Sequence, residues 1–263
     1  MQTLSKILAV LISSMLISAC SDEQPLATPM QDCYNHYKAE SYLVAIESCN
    51  IAANTGEPHA HWLLAQIYRF GLSSQGELPE EAFQHYLKAA NQSHSQSMRE
   101  VGNAYLYAYG VETDFQQAHQ WLLKASKQGD SVAAFSLGHI YYEGKGRDKD
   151  IGSAINWYMI AASSDHAMSI NNLAWIYATS EEPAYFSAKK ANYWLNKMQA
   201  RLFEVPMFLD TKAAVLAAQN EYAEAVEVQN LAISKLPENT PETEMLEFQK
   251  HLEAYQANQR WKE

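Results

Sequence analysis

The chain has 263 residues, a formal net charge of −11 and 48% hydrophobic residues. That length allows one or two ordinary domains or one array of helix pairs, and the apolar share provides a core. The acidic balance argues against nucleic acid, which is bound through a basic face. The modest glycine and proline content argues against long disordered tracts.

Lys6 precedes an apolar run from Ile7 to Ile17, interrupted by Ser13 and Ser14. The run is shorter than the roughly 20 residues a membrane-spanning helix needs, and residues 1–19 read as a secretory leader. It ends Ile17-Ser18-Ala19-Cys20, which resembles the lipobox of bacterial lipoproteins. The resemblance implies cleavage before Cys20 and acylation of that cysteine. Ser21 stands where an aspartate would resemble an inner-membrane retention signal, which favours the outer membrane. Several acyl chains anchor firmly, at about 0.8 kcal/mol per buried CH₂. Residues 20–30 carry Pro25 and Pro29 and no periodicity. They are expected to form a lipidated tether with a reach of at most about 30 Å.

With Cys20 acylated, Cys33 and Cys49 remain. Residues 31–55 read as a helical hairpin turning near Glu40 and Ser41, which sets the two cysteines opposite each other. In an oxidising envelope compartment a disulfide is expected, closing a loop that stabilises by about 3 kcal/mol. Two buried free thiols are the alternative.

Downstream, one pattern is written twice, 36 residues apart. Gly102, Tyr105, Asp114, Ala118, Trp121 and Ala125 recur as Gly138, Tyr141, Asp150, Ala154, Trp157 and Ala161. Self-similarity at such a step marks a solenoid of stacked helix pairs. The second helix of each pair can be followed through Ala45, Ala82, Ala118, Ala154, Ala191 and Ala225. Each is followed seven residues on by another small residue or by Met198, on the same helix face. Trp121, Trp157 and Trp194 recur beside them and read as core. Four residues before each alanine stand Ser41, Leu78, Asp114, Asp150, Ser187 and Glu221. Ser41, Asp114, Asp150 and Ser187 are expected N-caps, and Pro79 after Leu78 suits a first helical position. Gly56 and Gly129 fit the left-handed residue that ends a helix. First helices align on Ala65, Gly102, Gly138 and Ala174, each followed by a tyrosine, at Tyr68, Tyr105, Tyr141 and Tyr177.

These residues resemble the Sel1-like repeat family, whose loop carries Gly-x-Gly with a downstream aspartate. Gly144-Lys145-Gly146 with Asp150 matches that loop, and Tyr109-Gly110-Val111 with Asp114 matches it in part. The resemblance covers 31–198, strongest in the middle, with an insertion after Gly71 and no loop glycines at 180–186. Residues 206–239 change register and resemble a tetratricopeptide repeat through Pro206, Ala213, Tyr222, Ala225, Ala232 and Pro237. Residues 240–263, opening Thr240-Pro241-Glu242 and carrying Met245, Phe248, Leu252 and Tyr255 on one stripe, read as a helix that caps the array. The expected fold is therefore all-α, a superhelical solenoid of antiparallel helix pairs with a C-terminal capping helix.

Catalytic and metal-binding patterns are sparse. Ser187-Ala188-Lys189-Lys190 fits the S-x-x-K of penicillin-interacting enzymes, but the partner motifs S-D-N and K-T-G are absent and Ser187 is explained as a cap. His59-x-His61 lacks a third ligand at a familiar spacing. No catalytic residue, metal ligand or cofactor is assigned. The resemblance implies protein interaction through the concave side, lined by first helices. Counting from the small-residue anchors, the candidate partner-binding residues are Trp62, Gln66, Arg69, Arg99, Asn103, Tyr107, His139, Tyr142, Asn171 and Trp175, with Phe70, Leu106, Phe135 and Ala178 at equivalent offsets. Aromatic and arginine anchors with adaptable amides are what recognition surfaces use. The expected function is a non-catalytic scaffold of the bacterial envelope, an outer-membrane lipoprotein facing the periplasm and binding envelope proteins. One alternative is an accessory subunit of a polysaccharide-export or peptidoglycan machine that binds glycan or a synthase. A second is a hydrolase of cell-wall peptides or β-lactams.

Overall fold

The computed structural model describes residues 28–263; the leader, Cys20 and most of the tether lie outside the described residues. Among the described residues there are thirteen α-helices, one 3₁₀ turn and no strand. The helices run in antiparallel pairs: α1 (Pro29–Lys38) with α2 (Tyr42–Asn54), α3 (Pro58–Arg69) with α4 (Pro79–Asn91), and α5 (Ser95–Tyr107) with α6 (Phe115–Lys127). They continue as α7 (Ser131–Glu143) with α8 (Ile151–Ala162), and α9 (Ala167–Thr179) with the short α10 (Ala188–Leu195). After a 3₁₀ turn at Ala200–Glu204 come α11 (Pro206–Ala218) with α12 (Tyr222–Ser234), then α13 (Glu242–Gln256). Each pair also packs on the next, the nearest-neighbour stacking of a solenoid. No helix of the described residues is long and apolar enough to cross a membrane.

The caps explain where most helices start. Asp114 accepts from the backbone N–H of Gln116 and Gln117, both at 2.9 Å, and Asp150 from that of Ser153 at 2.9 Å. Ser187 accepts from Lys190 N–H at 3.3 Å. Ser41 does not cap: its hydroxyl turns back toward Ala39 O at 3.5 Å, leaving the first turn of α2 without a side-chain acceptor. Helix α1 starts inside the expected tether, because Thr28 caps it (Gln31 N–H to Thr28 Oγ1, 3.2 Å) and Pro29 suits the first turn. First helices have a cap series of their own that the small-residue alignment missed. His94, Asp130 and His166 accept from the N–H of Ser97, Ala133 and Ser169 at 3.3, 2.9 and 3.3 Å.

Within each pair a main-chain bond ties the two helices. The carbonyls of Tyr68, Tyr105, Tyr141 and Tyr177 accept from the N–H of Leu78, Asp114, Asp150 and Ser187 at 2.9, 3.0, 2.9 and 2.8 Å. Small residues set the helix crossing. A Cβ on Gly102 would stand 2.6 Å from Leu122 Cγ, and one on Gly138 2.5 Å from the Tyr158 ring. Between pairs, the loop glycines make the close contact. Gly110, at φ +68°, sits so that a Cβ would lie 2.0 Å from Pro79 O, and Gly146 so that one would lie 2.4 Å from Phe115 Cβ. Pro79 and Phe115 are the first residues of α4 and α6. The loop of one repeat thus rests on the start of the preceding second helix.

The two ends are secured differently. In the first hairpin Cys33 and Cys49 form a disulfide, both sulfurs fully buried against Leu63 and Leu64. At the far end α13 buries Phe248, His251 and Tyr255, with Met245 and Leu252 only half-buried, so the apolar stripe is rotated from the expected one. Gln229 Nε2 donates to Phe248 O at 3.0 Å, and Asp210 meets His251 Nδ1 at 2.8 Å, fastening α13 to α12 and α11. The helix stops at Gln256; residues 257–263 are not part of it and return toward α9.

Candidate functional site

First helices α7, α9 and α11 together floor a cleft of about 360 Å³, lined by Phe135, His139, Tyr142, Asn171, Trp175 and Thr211 among others. It brings together His139, Tyr142, Asn171 and Trp175 of the expected partner-binding set. A second cleft of about 490 Å³ opens alongside, over Tyr142, Lys149, Ile176, Thr179, Glu181 and Tyr185. Glu263 borders both. Its carboxylate takes hydrogen bonds from Tyr142 Oη at 2.9 Å and Trp175 Nε1 at 2.6 Å. Burial, with the Glu263 carboxylate beside it, pushes the Tyr142 phenol far above its ordinary range, so it stays protonated and donates. Burial pushes the His139 imidazole down, which favours its neutral form. Asn171 is 4% exposed, and its Oδ1 has no hydrogen-bond partner among the described residues. A buried acceptor left unpaired costs about 1–3 kcal/mol.

The two arginines do something other than present themselves to a ligand. Arg69 pairs with Glu100, and Arg99 pairs with Glu100 and Asp130, both at 2.9 Å. The chain of charges joins α3, α5 and the start of α7, where Asp130 is also the cap. Tyr109 Oη donates to Arg69 O at 3.2 Å and its ring lies under the guanidinium. Arg69 and Arg99 therefore act as inter-repeat struts, a structural role beside the expected one, and Arg69 keeps 37% of its side chain exposed. Each acid lies 31 residues beyond its arginine, Glu100 from Arg69 and Asp130 from Arg99, and that repeated offset was the signal available in the sequence.

Other expected positions divide by depth. Gln66 and Asn103 are half-buried, and Asn103 takes the Ser136 hydroxyl at 3.2 Å. Tyr107 and Phe70 are exposed. Leu106 and Ala178 are buried and face neighbouring repeats, so their offset does not point to solvent. Trp62 stacks on His59 with ring centroids 4.9 Å apart, and its indole N–H is buried. His59 and His61 are not brought together. His59 meets His94 at 3.4 Å, while His61 Nδ1 meets His85 Nδ1 at 3.1 Å across α3 and α4. Sequence reading missed Glu263, which enters the site from the far end, and Arg260 and Trp261, which hold its segment in place, because nothing periodic marks them.

The sequence model of the Sel1 repeat matches residues 58–94, 95–130 and 131–166, which are the pairs α3–α4, α5–α6 and α7–α8. No curated protein matches the chain. Among solved structures the fold is similar to a Sel1 repeat protein from Oxalobacter formigenes, with a TM-score of 0.64 and 22% identity over 80% of this chain and 89% of that one. It is also similar to a protective antigen of uropathogenic Escherichia coli strains displaying an SLR fold, with a TM-score of 0.72 and 20% identity over 90% of this chain. The match covers 51% of that antigen, so this chain spans about half its length. At these identities the likeness is one of fold. Three successive Sel1 repeats therefore run from Pro58 to His166.

Proposed function

We propose that this chain is a non-catalytic protein-binding scaffold of the bacterial cell envelope, held at the outer membrane through an acylated Cys20 and facing the periplasm. Sel1 repeats generally mediate protein–protein interaction. The observation that carries the reading here is the cleft on the first-helix face. It combines aromatic walls, a buried amide acceptor without a partner, and donors already able to hold a carboxylate. Such a mixture of rigid aromatic anchors and aimed polar groups suits a peptide or protein surface.

The alternatives gain less support. Sugar rings stack on open indole faces, whereas Trp62 lies against His59 and Trp175 against Glu263 and the His251 ring. Ser187 Oγ is taken up by the Lys190 N–H, as a cap requires. In-cell crosslinking from a photo-reactive residue at position 139 tests the groove. Specific capture of an envelope protein is expected, and capture of nothing, with the array folded, would refute it. Fractionation of Cys20→Ser tests the anchor: the variant should leave the membrane fraction, and unchanged membrane association would exclude lipidation at Cys20 as the cause.

A further inference from the structure

The segment 257–263 is attached to the groove in the way a bound peptide would be. Its main chain pairs with the end of α9: Glu263 N–H donates to Thr179 O and Glu181 N–H donates to Glu263 O, both at 3.0 Å. Arg260 donates to Thr179 O and Ser180 O at 3.1 and 3.2 Å, and its guanidinium lies 4.2 Å from the Phe186 ring centre. The Trp261 ring sits 4.6 Å from that of His251. Main-chain bonds give such segments affinity, and side-chain seats give them specificity. Yet no residue from Ala257 to Glu263 is buried. Apart from the half-buried Trp261, which packs against the core, polar contacts at a wet surface hold the segment, and these exchange readily for equivalent ones. Glu263 stands between clefts of about 360 and 490 Å³, so its departure would join them into one groove.

We propose that residues 257–263 are a tethered ligand of this groove, and that an extended, carboxylate-bearing segment of a partner protein displaces them to take the seat formed by Tyr142 and Trp175. Two neutral donors converge on that seat, with Lys149 Nζ 4.7 Å from the Tyr142 ring centre. Glu143, Asp150, Glu181, Glu182 and Asp210 also line the clefts, so the two directed hydrogen bonds, rather than the net charge, select the carboxylate. The inference rests on the groove reading above and adds the partner's chemistry and its competitor.

A tether of this kind presents its ligand at about millimolar effective concentration. A free peptide binding with a Kd of about 100 μM would then appear roughly tenfold weaker to the intact chain. The test uses a fluorescent peptide of sequence Gln-Arg-Trp-Lys-Glu, amidated at its end, titrated into the full chain. Glu263→Gln and Trp261→Ala should each bind it about tenfold more tightly than the wild type. Adding Tyr142→Phe to Glu263→Gln should remove the gain, and a peptide ending in glutamine should not bind. Equal affinity for wild type and both variants would overturn the proposal, as would a fall in melting temperature without any gain, which identifies a fixed clasp. Dimers of the Glu263→Gln chain exchanging segments in sedimentation would make a second copy the occupant and also overturn it. Capture of a protein from position 139, together with unchanged peptide affinity, would sink this inference alone and leave the groove reading standing.

Discussion

The middle of the array and its far end are built on different logic. From α5 to α8 the helix-crossing, loop and cap contacts have counterparts 36 residues away: Gly102 and Gly138 under Leu122 and Tyr158, Gly110 and Gly146 over Pro79 and Phe115, Asp114 and Asp150 as caps. These are steric, short-range fits between neighbours. From α9 onward the apolar core continues, but polar contacts without a counterpart are added to it. Asp210 meets His251, Gln229 holds Phe248, and Glu263 reaches Tyr142, 121 residues earlier in the chain. A repeating unit can only encode what it does to the next unit. Closing the array needs residues that belong to no unit.

Substitutions separate the two regimes. Gly110→Ala should have the largest effect, about 2–4 kcal/mol, because the new Cβ meets a backbone oxygen rather than a pliable side chain and the residue keeps a left-handed φ. The midpoint of chemical denaturation reads it; a loss below 1 kcal/mol would mean that the contact between repeats is slack. Next comes Asp210→Ala at the far end. It leaves a buried histidine without its partner and should cost about 2–3 kcal/mol. Hydrogen exchange should show the loss confined to α11–α13, whereas an even loss along the chain would erase the contrast.

Acid should strike the nearer half. Burial, with His61 and Lys88 close by, pushes the His85 imidazole down to about 4. The unfolded chain takes up that proton near pH 6.5, so the folded state binds fewer protons below it. Stability from this site is therefore full above pH 6.5 and declines as pH falls toward 4, by about 1–2 kcal/mol at pH 5. His85→Gln should flatten this part of the profile, and an unchanged slope would exclude His85 as its source. The smallest effect expected is that of Ser187→Ala, about 1 kcal/mol from the lost cap. Neither that variant nor its parent should be labelled by a reactive β-lactam, and labelling of the parent alone would make Ser187 a nucleophile.

The same contrast decides what could be read from the amino-acid order. Caps, small residues and the tyrosine series were legible because each acts within one or two turns of helix. Ser41 was misjudged because a hydroxyl has several local acceptors, and it turned to the preceding carbonyl. Arg69 and Arg99 lie where the offsets put them, but an offset says nothing of the acids waiting on adjoining helices. Leu106 shares its offset with Arg69 and Tyr142 yet is buried, since its face is covered by the next pair. The segment after Gln256 was hidden altogether: it carries no period, and its side-chain hydrogen-bond partners on and after α7 and α9 lie from 80 to 121 residues away.

The perch of Gly110 on Pro79, repeated by Gly146 on Phe115, has a consequence for how such a protein changes over time. The pitch from one unit to the next is set at these loops by backbone meeting the start of a helix. Cleft-lining side chains on the first helices, outside the Arg69–Glu100–Arg99–Asp130 struts, can therefore be exchanged without bending the spiral, so a lineage can acquire a new ligand while inheriting an unaltered frame.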